Sequence, residues 1–198
     1  MRTRFQLAVV LVLSVTIAPI GCSTSGTTDE ASFHNGSRPY KSLVIPGMIE
    51  LEDFNEGGEG VAYHDKEPEN LEKKLPPYRD TGVDLEWREA ASGKFNLGWT
   101  RPGEWLVYTV DVKSAGTYRI DMHVACQGPG GQLHLEFNGV DRSGPIKIPD
   151  TGGWQNLKPF SVDGIKLVAG RQTMKVVMDV GGESGSIGDI DYLKFIKQ

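Results

Sequence analysis

Strict alternation of apolar and polar residues recurs along the chain beyond residue 43. In "GTYRIDMHVA" (116–125) Tyr118, Ile120, Met122 and Val124 alternate with Arg119, Asp121 and His123. In "GQLHLEF" (131–137) Leu133, Leu135 and Phe137 alternate with polar residues. A period of two is the mark of strands buried on one face. "GEWLVYTVDV" (103–112), "QTMKVVMDV" (172–180) and "DIDYLKFI" (189–196) predict three more, and Trp105, in phase with Val107, is expected in the core. "PGG" (129–131), "FNG" (137–139) and "DTGG" (150–153) supply the turns between them. No window of helical length carries an apolar stripe at i, i+3, i+4 and i+7. Many short strands with frequent Gly and Pro turns predict an all-β, two-sheet antiparallel β-sandwich.

The first residues follow a different pattern. "MRTRFQLAVVLVLSVTIAPIGC" carries Arg2 and Arg4 before an apolar run too short to span a membrane, the layout of a secretory signal. Its ending "APIGC" resembles a bacterial lipoprotein signal, which implies cleavage after residue 21 and lipidation of Cys22. Residues 22–42, with "STSGTTDEAS" at 23–32, have no apolar period and read as the lipidated cysteine and a flexible tether. The folded domain is then expected over 43–198, lipid-anchored to the bacterial envelope at the outer membrane or cell surface.

Charge and cysteine usage narrow the picture. Twenty-six acids against 21 bases give −5, and loss of Arg2 and Arg4 makes the chain more acidic still. Without a basic cluster, nucleic acid is a poor partner. With Cys22 lipidated, Cys126 has no partner for an internal disulfide, so stability must come from a packed core or a metal. Cys126, at the end of a strand pattern, is expected to be buried. The four histidines, 34, 64, 123 and 134, show no metal-ligand spacing, and no nucleophile or phosphate-loop motif occurs.

Two stretches pair acids. "IELEDF" (49–54) and "IGDIDYLKF" (187–195) place Glu50 with Glu52, and Asp189 with Asp191, on common strand faces. First and last strands commonly lie side by side in sandwiches, so the pairs can meet at one rim. Clustered carboxylates repel one another unless a cation sits among them, and hard oxygen ligands suit calcium. The other reading is solvated acids on edge strands. Catalysis by such a pair is disfavoured, since glycosidases need carboxyls set apart across a sugar. His64, Asp65, Asp80, Asp84 and Glu86 fall in one charged loop region and read as solvated.

The ordered blocks "IELEDF", "GVAYHD", "YRDTGVDLE", "FNLGWTRPGEWLVYTV", "AGTYRIDMHVA", "TGGWQNL", "LVAGRQTMKVVMD" and "GDIDYLKF" resemble the family 6 carbohydrate-binding modules along the folded region. The resemblance implies a jelly-roll, galactose-binding-like sandwich that binds polysaccharide, such as xylan or β-glucan, and is not an enzyme. It implies a structural Ca2+ held by Glu50, Glu52, Asp191 and a carbonyl just before Phe95. Sugar rings stack on aromatics while amides and carboxylates take the hydroxyls. By resemblance the binding residues are Phe95, Trp154 and Asp189, with Tyr63, Tyr78 or Arg79 bordering the site and Trp99 able to serve either in the core or in a cleft. At Asp189 a carboxylate stands where the family has an amide. It accepts but cannot donate, which leaves open a preference for neutral sugars or a role for another residue such as Asn96. The expected protein is a monomeric, calcium-stabilised, glycan-binding lipoprotein. The alternative is a small jelly-roll polysaccharide lyase or hydrolase using His64 or His134 as base.

Overall fold

The five strands read from alternation at 103–112, 116–125, 131–137, 172–180 and 189–196 all form, together with others that alternation did not mark, the longest of them Gly153–Leu167. The structure, a computed structural model, describes residues 36–73 and 77–198. The leader, Cys22 and the tether up to residue 35 lie outside the described residues. In chain order the strands are β1 (Leu43–Ile45), β2 (Gly47–Glu50), β3 (Tyr63–His64), β4 (Leu85–Trp87), β5 (Phe95–Leu97), β6 (Trp105–Val112), β7 (Gly116–Cys126), β8 (Gln132–Phe137), β9 (Val140–Asp141), β10 (Ile146–Lys147), β11 (Gly153–Leu167), β12 (Gly170–Val180) and β13 (Asp189–Lys197). The described helical structure comprises two single 3-10 turns, Leu51–Asp53 and Ser92–Lys94.

Two sheets face each other. One has seven strands in the order β1-β6-β12-β8-β10, with β3 beside β6 and β9 beside β8. The other has six in the order β11-β7-β13-β5-β4, with β2 against β13. Pairing is antiparallel apart from β1 on β6. The β8–β9 hairpin closes over Asn138 and Gly139, both at positive φ (52° and 74°), a two-residue turn whose twist suits a hairpin.

The core is the set of inward phases. Tyr118, Ile120, Met122 and Val124 of β7 are fully buried, and Leu133, Leu135 and Phe137 of β8 meet them from the other sheet. Phe137 and Phe195 touch edge to face across the layers, with centroids 6.0 Å apart. Each such side chain removed from water stabilises the fold by about 1.5–3 kcal/mol. Cys126 is buried, as expected. Trp105 corrects the phase assigned to it: Leu106, Tyr108, Val110 and Val112 form the inward series of β6. Trp105 lies half-buried on the opposite face beneath the Lys175 ammonium, 4.3 Å from its ring centroid.

Packing begins ahead of Leu43, where the tether was expected to end. Arg38 pairs with Glu56 through two backbone hydrogen bonds of 2.9 and 2.8 Å. The Arg79 guanidinium stacks between Tyr40 and Phe54, 4.1 and 3.9 Å from their centroids.

Candidate functional site: one strand, two acid-bearing sites

The first and last strands do lie side by side, with Glu50 of β2 opposite Tyr192 of β13. The placement of Glu52 differs from the expected strand alternation. The strand ends at Glu50, and the 3-10 turn over Leu51–Asp53 carries Glu52 inward, where 2% of it is exposed. The buried Tyr108 hydroxyl pins this turn by donating to the Leu51 carbonyl at 2.7 Å. Asp53 faces other partners, Lys41 at 2.9 Å and the Tyr78 hydroxyl at 2.7 Å.

The second 3-10 turn closes over these acids. Ser92 donates its backbone N–H to both oxygens of Asp191 and its hydroxyl to Glu50 Oε1 at 2.7 Å. Gly93 has φ of 62°, and a Cβ there would stand 2.9 Å from Glu52 Oε1, so a bare backbone is required on both counts. His123 Nδ1 lies 2.8 Å from fully buried Asp191. Two oxygens, Glu50 Oε2 and Glu52 Oε2, are closed off from solvent without a hydrogen-bond partner. Burial, then repulsion from Glu50, Asp53 and Asp191, pushes the Glu52 carboxyl up to about 9, and burial likewise raises Glu50 and Asp191. Orphaned carboxylate oxygens with little positive charge beside them are the kind of donor a hard divalent cation takes, although the described acids whose oxygens all lie within 4.8 Å of one another are Asp65, Glu67 and Glu104.

Two residues back along β13, Asp189 enters a different site. It is 5% exposed and lies on the floor of a cleft of about 400 Å3 with Glu86 and Arg88. Arg88 Nη2 donates to Glu86 Oε2 and to Asp189 Oδ2, the latter at 2.7 Å. Burial pushes the Asp189 carboxyl up to about 7 against the opposing pull of Arg88. The walls are Trp99 with Arg101, Trp154 with Gln155, and Ser184 with Ser186.

Both tryptophans are held by their turns. Trp99 is 39% exposed and sits at φ 46°, a strained conformation for a bulky residue. Its neighbour Thr100 is bolted to the loop before β13. The Thr100 hydroxyl donates to the Gly188 carbonyl at 2.7 Å, and the Thr100 carbonyl accepts from Ile187 N–H at 3.1 Å. Trp154 follows Gly152 and Gly153. Asp150 Oδ1 accepts from Gly152 N–H at 2.8 Å, and Thr151 Oγ1 accepts from Cys126 N–H at 2.9 Å. Trp154 leans partly on the core and lines the cleft with the rest.

Of the three expected sugar-binding residues, Trp154 and Asp189 meet in this cleft and Phe95 does not line it. Phe95 instead packs its half-buried ring against Tyr78, 5.0 Å away. Trp99, four residues on, provides the second aromatic wall. Trp154, expected at the site as an aromatic after a glycine turn, does line the cleft. Tyr63, Tyr78 and Arg79 gather around Phe54 and the residue 36–42 segment, and Asn96 is fully buried. Arg88 had no sequence signal, because its partner Asp189 lies 101 residues away.

The family model for "Carbohydrate binding module (family 6)" matches residues 77–197. The chain is 39% identical over 81 residues to the clotting factor G alpha subunit of Tachypleus tridentatus, covering 40% of this chain and 12% of that protein. It is 26% identical over 105 residues to the β-agarase AgaA of Microbulbifer thermotolerans, covering 52% of this chain and 24% of that protein. It thus spans a quarter or less of these curated relatives. Among solved structures, the CBM6cm-2 module of lichenase 5A from Cellvibrio mixtus, in complex with cellotriose, superposes with a TM-score of 0.56 at 25% identity, covering 78% of this chain and 98% of that one. A β-1,3-glucan binding CBM6 from Bacillus halodurans has a TM-score of 0.58 at 19% identity, with the same coverage, and supports the fold.

Proposed function

Because this chain belongs to carbohydrate-binding module family 6, a family of non-catalytic binding modules, we propose that it holds a β-linked polysaccharide in the Trp99–Trp154 cleft. The observation that carries this reading is the convergence of two tryptophans, Trp99 in the loop after β5 and Trp154 at the start of β11, on one polar-floored cleft. Indole faces stack on the C–H faces of sugar rings, while Glu86, Asp189, Gln155 and the two serines offer partners to hydroxyls. The cellotriose complex of the Cellvibrio module and the β-agarase relative support a β-linked chain as ligand. The lyase or hydrolase alternative is disfavoured by the floor itself. Glu86 and Asp189 are both tied to one nitrogen of buried Arg88, and no histidine lines the described cleft to act as base.

Glu50, Glu52 and Asp191 would hold a structural Ca2+, which when bound supplies the counter-charge that these buried acids lack. Glu52 bears on the Ser92–Lys94 turn and Asp191 on Ser92 and His123, so the residues join the first strand, the last strand and the β4–β5 connection. Lipidation at Cys22 would keep the domain, as a monomer, on the outer membrane or cell surface, where bound glycan is concentrated for separate hydrolases.

Isothermal titration of the protein in calcium with cellohexaose, xylohexaose and laminarihexaose tests the binding reading. Heat with at least one oligosaccharide, lost in Trp99→Ala and Trp154→Ala, is expected; unchanged binding in both variants rules out this cleft. Incorporation of labelled palmitate that disappears in Cys22→Ala tests the anchor.

A further inference from the structure

The floor of the cleft contains an arginine, and an arginine in a sugar site ordinarily signals an acidic ligand. The details here point the other way. Arg88 is 5% exposed, and its Nε and Nη1 are closed off from solvent without a hydrogen-bond partner. Its remaining nitrogen, Nη2, is engaged by two carboxylates at once. Neither the sealed nitrogens nor the doubly engaged one presents a free donor to an anion arriving from the cleft.

What faces the ligand is therefore the acids. Arg88 binds one oxygen of each, Oε2 of Glu86 and Oδ2 of Asp189, and Asn96 Nδ2 adds a 3.3 Å bond to the same Glu86 oxygen. One cation set against two carboxylates leaves the floor no positive charge to spare for an anion. Arg101, on the wall of the same cleft, pairs through Nε with Glu67 at 2.9 Å, so that pair adds no net charge.

On the reading that this cleft binds glycan, we propose that the Glu86–Arg88–Asp189 floor restricts it to neutral sugars and rejects chains bearing carboxylate or sulfate at the site. Glu86 and Asp189 are the specificity-determining groups. Arg88 is a positioning residue that holds them together and fixes which oxygens they present. Neutral hydroxyls donate to those oxygens, whereas an anionic substituent meets like charge in a partly dewatered cleft.

Affinity electrophoresis of the full protein in calcium, through gels containing barley β-glucan or laminarin and through gels containing the same polymers oxidised to carboxylates at C6, tests this. Each pair differs at one carbon. The expected result is retardation by at least one neutral polymer and about ten-fold weaker or undetectable retardation by its oxidised form. In Asp189→Asn and, separately, Glu86→Gln, the discrimination should narrow to about three-fold or less, because each change balances the floor. Glu86 is the more exposed of the two acids, so Glu86→Gln remains informative if Asp189→Asn fails to fold. Equal retardation of wild type by a neutral polymer and its oxidised form overturns the inference and leaves the glycan reading standing. So does retardation by the oxidised polymers alone, or discrimination unchanged in the folded variants. Retardation by none of the four polymers overturns the reading of the cleft as a β-glucan site and the inference with it.

Discussion

Asp189 and Asp191 stand two residues apart on the last strand, yet they enter opposite kinds of site. Asp189 joins Glu86 around a guanidinium, so the chain carries the cation that lets two acids be buried together. Asp191 joins Glu50 and Glu52 with a serine, a histidine and two orphaned oxygens, so the chain brings the acids but little positive charge. An arginine fixes a site permanently, at the expense of filling it. If, as proposed, the acid cluster takes its cation from solution, its stability depends on that ion. On that reading the floor serves as a surface for a ligand and the acid cluster as a joint.

The largest test of this contrast is removal of divalent cation. Calcium at about a thousand times its Kd adds roughly 4 kcal/mol to stability, which in a domain of this size corresponds to about 10 °C in Tm. Calorimetry in calcium against calcium chelator should show that gap, and Glu52→Ala should remove it. A Tm indifferent to chelator breaks the comparison. Next in size is Arg88→Ala, which leaves buried Asp189 without its cation and half-buried Glu86 with only Asn96, and should destabilise by about 3 kcal/mol, equally with and without calcium. Adding Glu86→Gln and Asp189→Asn to that variant should recover most of the loss in a urea titration. If the loss instead depends on calcium, the two sites are not separate.

Gly93→Ala sharpens the contrast from the backbone side. It forces a side chain into the left-handed region, about 1–2 kcal/mol, and presses on Glu52, so titration calorimetry should also show weakened calcium binding. The smallest effect belongs to a surface pair used as a control. Partial burial of His134 opposes its charged form, but the hydrogen bond and charge of Asp179, with Glu136 and Asp141 adding to them, raise its pKa overall. A raised histidine contributes stability below its unfolded pKa of about 6.5 and loses it as pH rises through the folded value. Asp179→Asn should therefore lower stability by less than about 1 kcal/mol at pH 5.5 and by almost nothing at pH 9.

Much of this was legible before any coordinates. The alternation in β7, β8 and β12 identified the inward residues because those strands have one dry face and one wet face. Trp105 was misassigned where the signal fails, since "EWLVY" is apolar in both phases. The meeting of first and last strands followed from sandwich topology, but the turn that swings Glu52 inward was hidden because the stretch alternates as far as Glu52 and breaks only at Asp53. Trp154, beside its glycine turn, lines the cleft the turn suggested. The resemblance points to Phe95 and leaves Trp99 between core and cleft; the geometry packs Phe95 on Tyr78 and leaves Trp99, beyond the strand end at Leu97, exposed at positive φ. The Arg88–Asp189 pairing is a long-range contact with no local pattern to betray it.

The central claim is that Trp99 and Trp154, not Phe95, form the binding surface. It is tested most directly by affinity electrophoresis of wild type, Trp99→Ala, Trp154→Ala and Phe95→Ala side by side in calcium, through xylan, barley β-glucan, laminarin and agarose. The account predicts retardation of wild type and Phe95→Ala by the same polymer and free migration of both tryptophan variants. Retardation that survives loss of either tryptophan, or that vanishes with Phe95 alone, contradicts it.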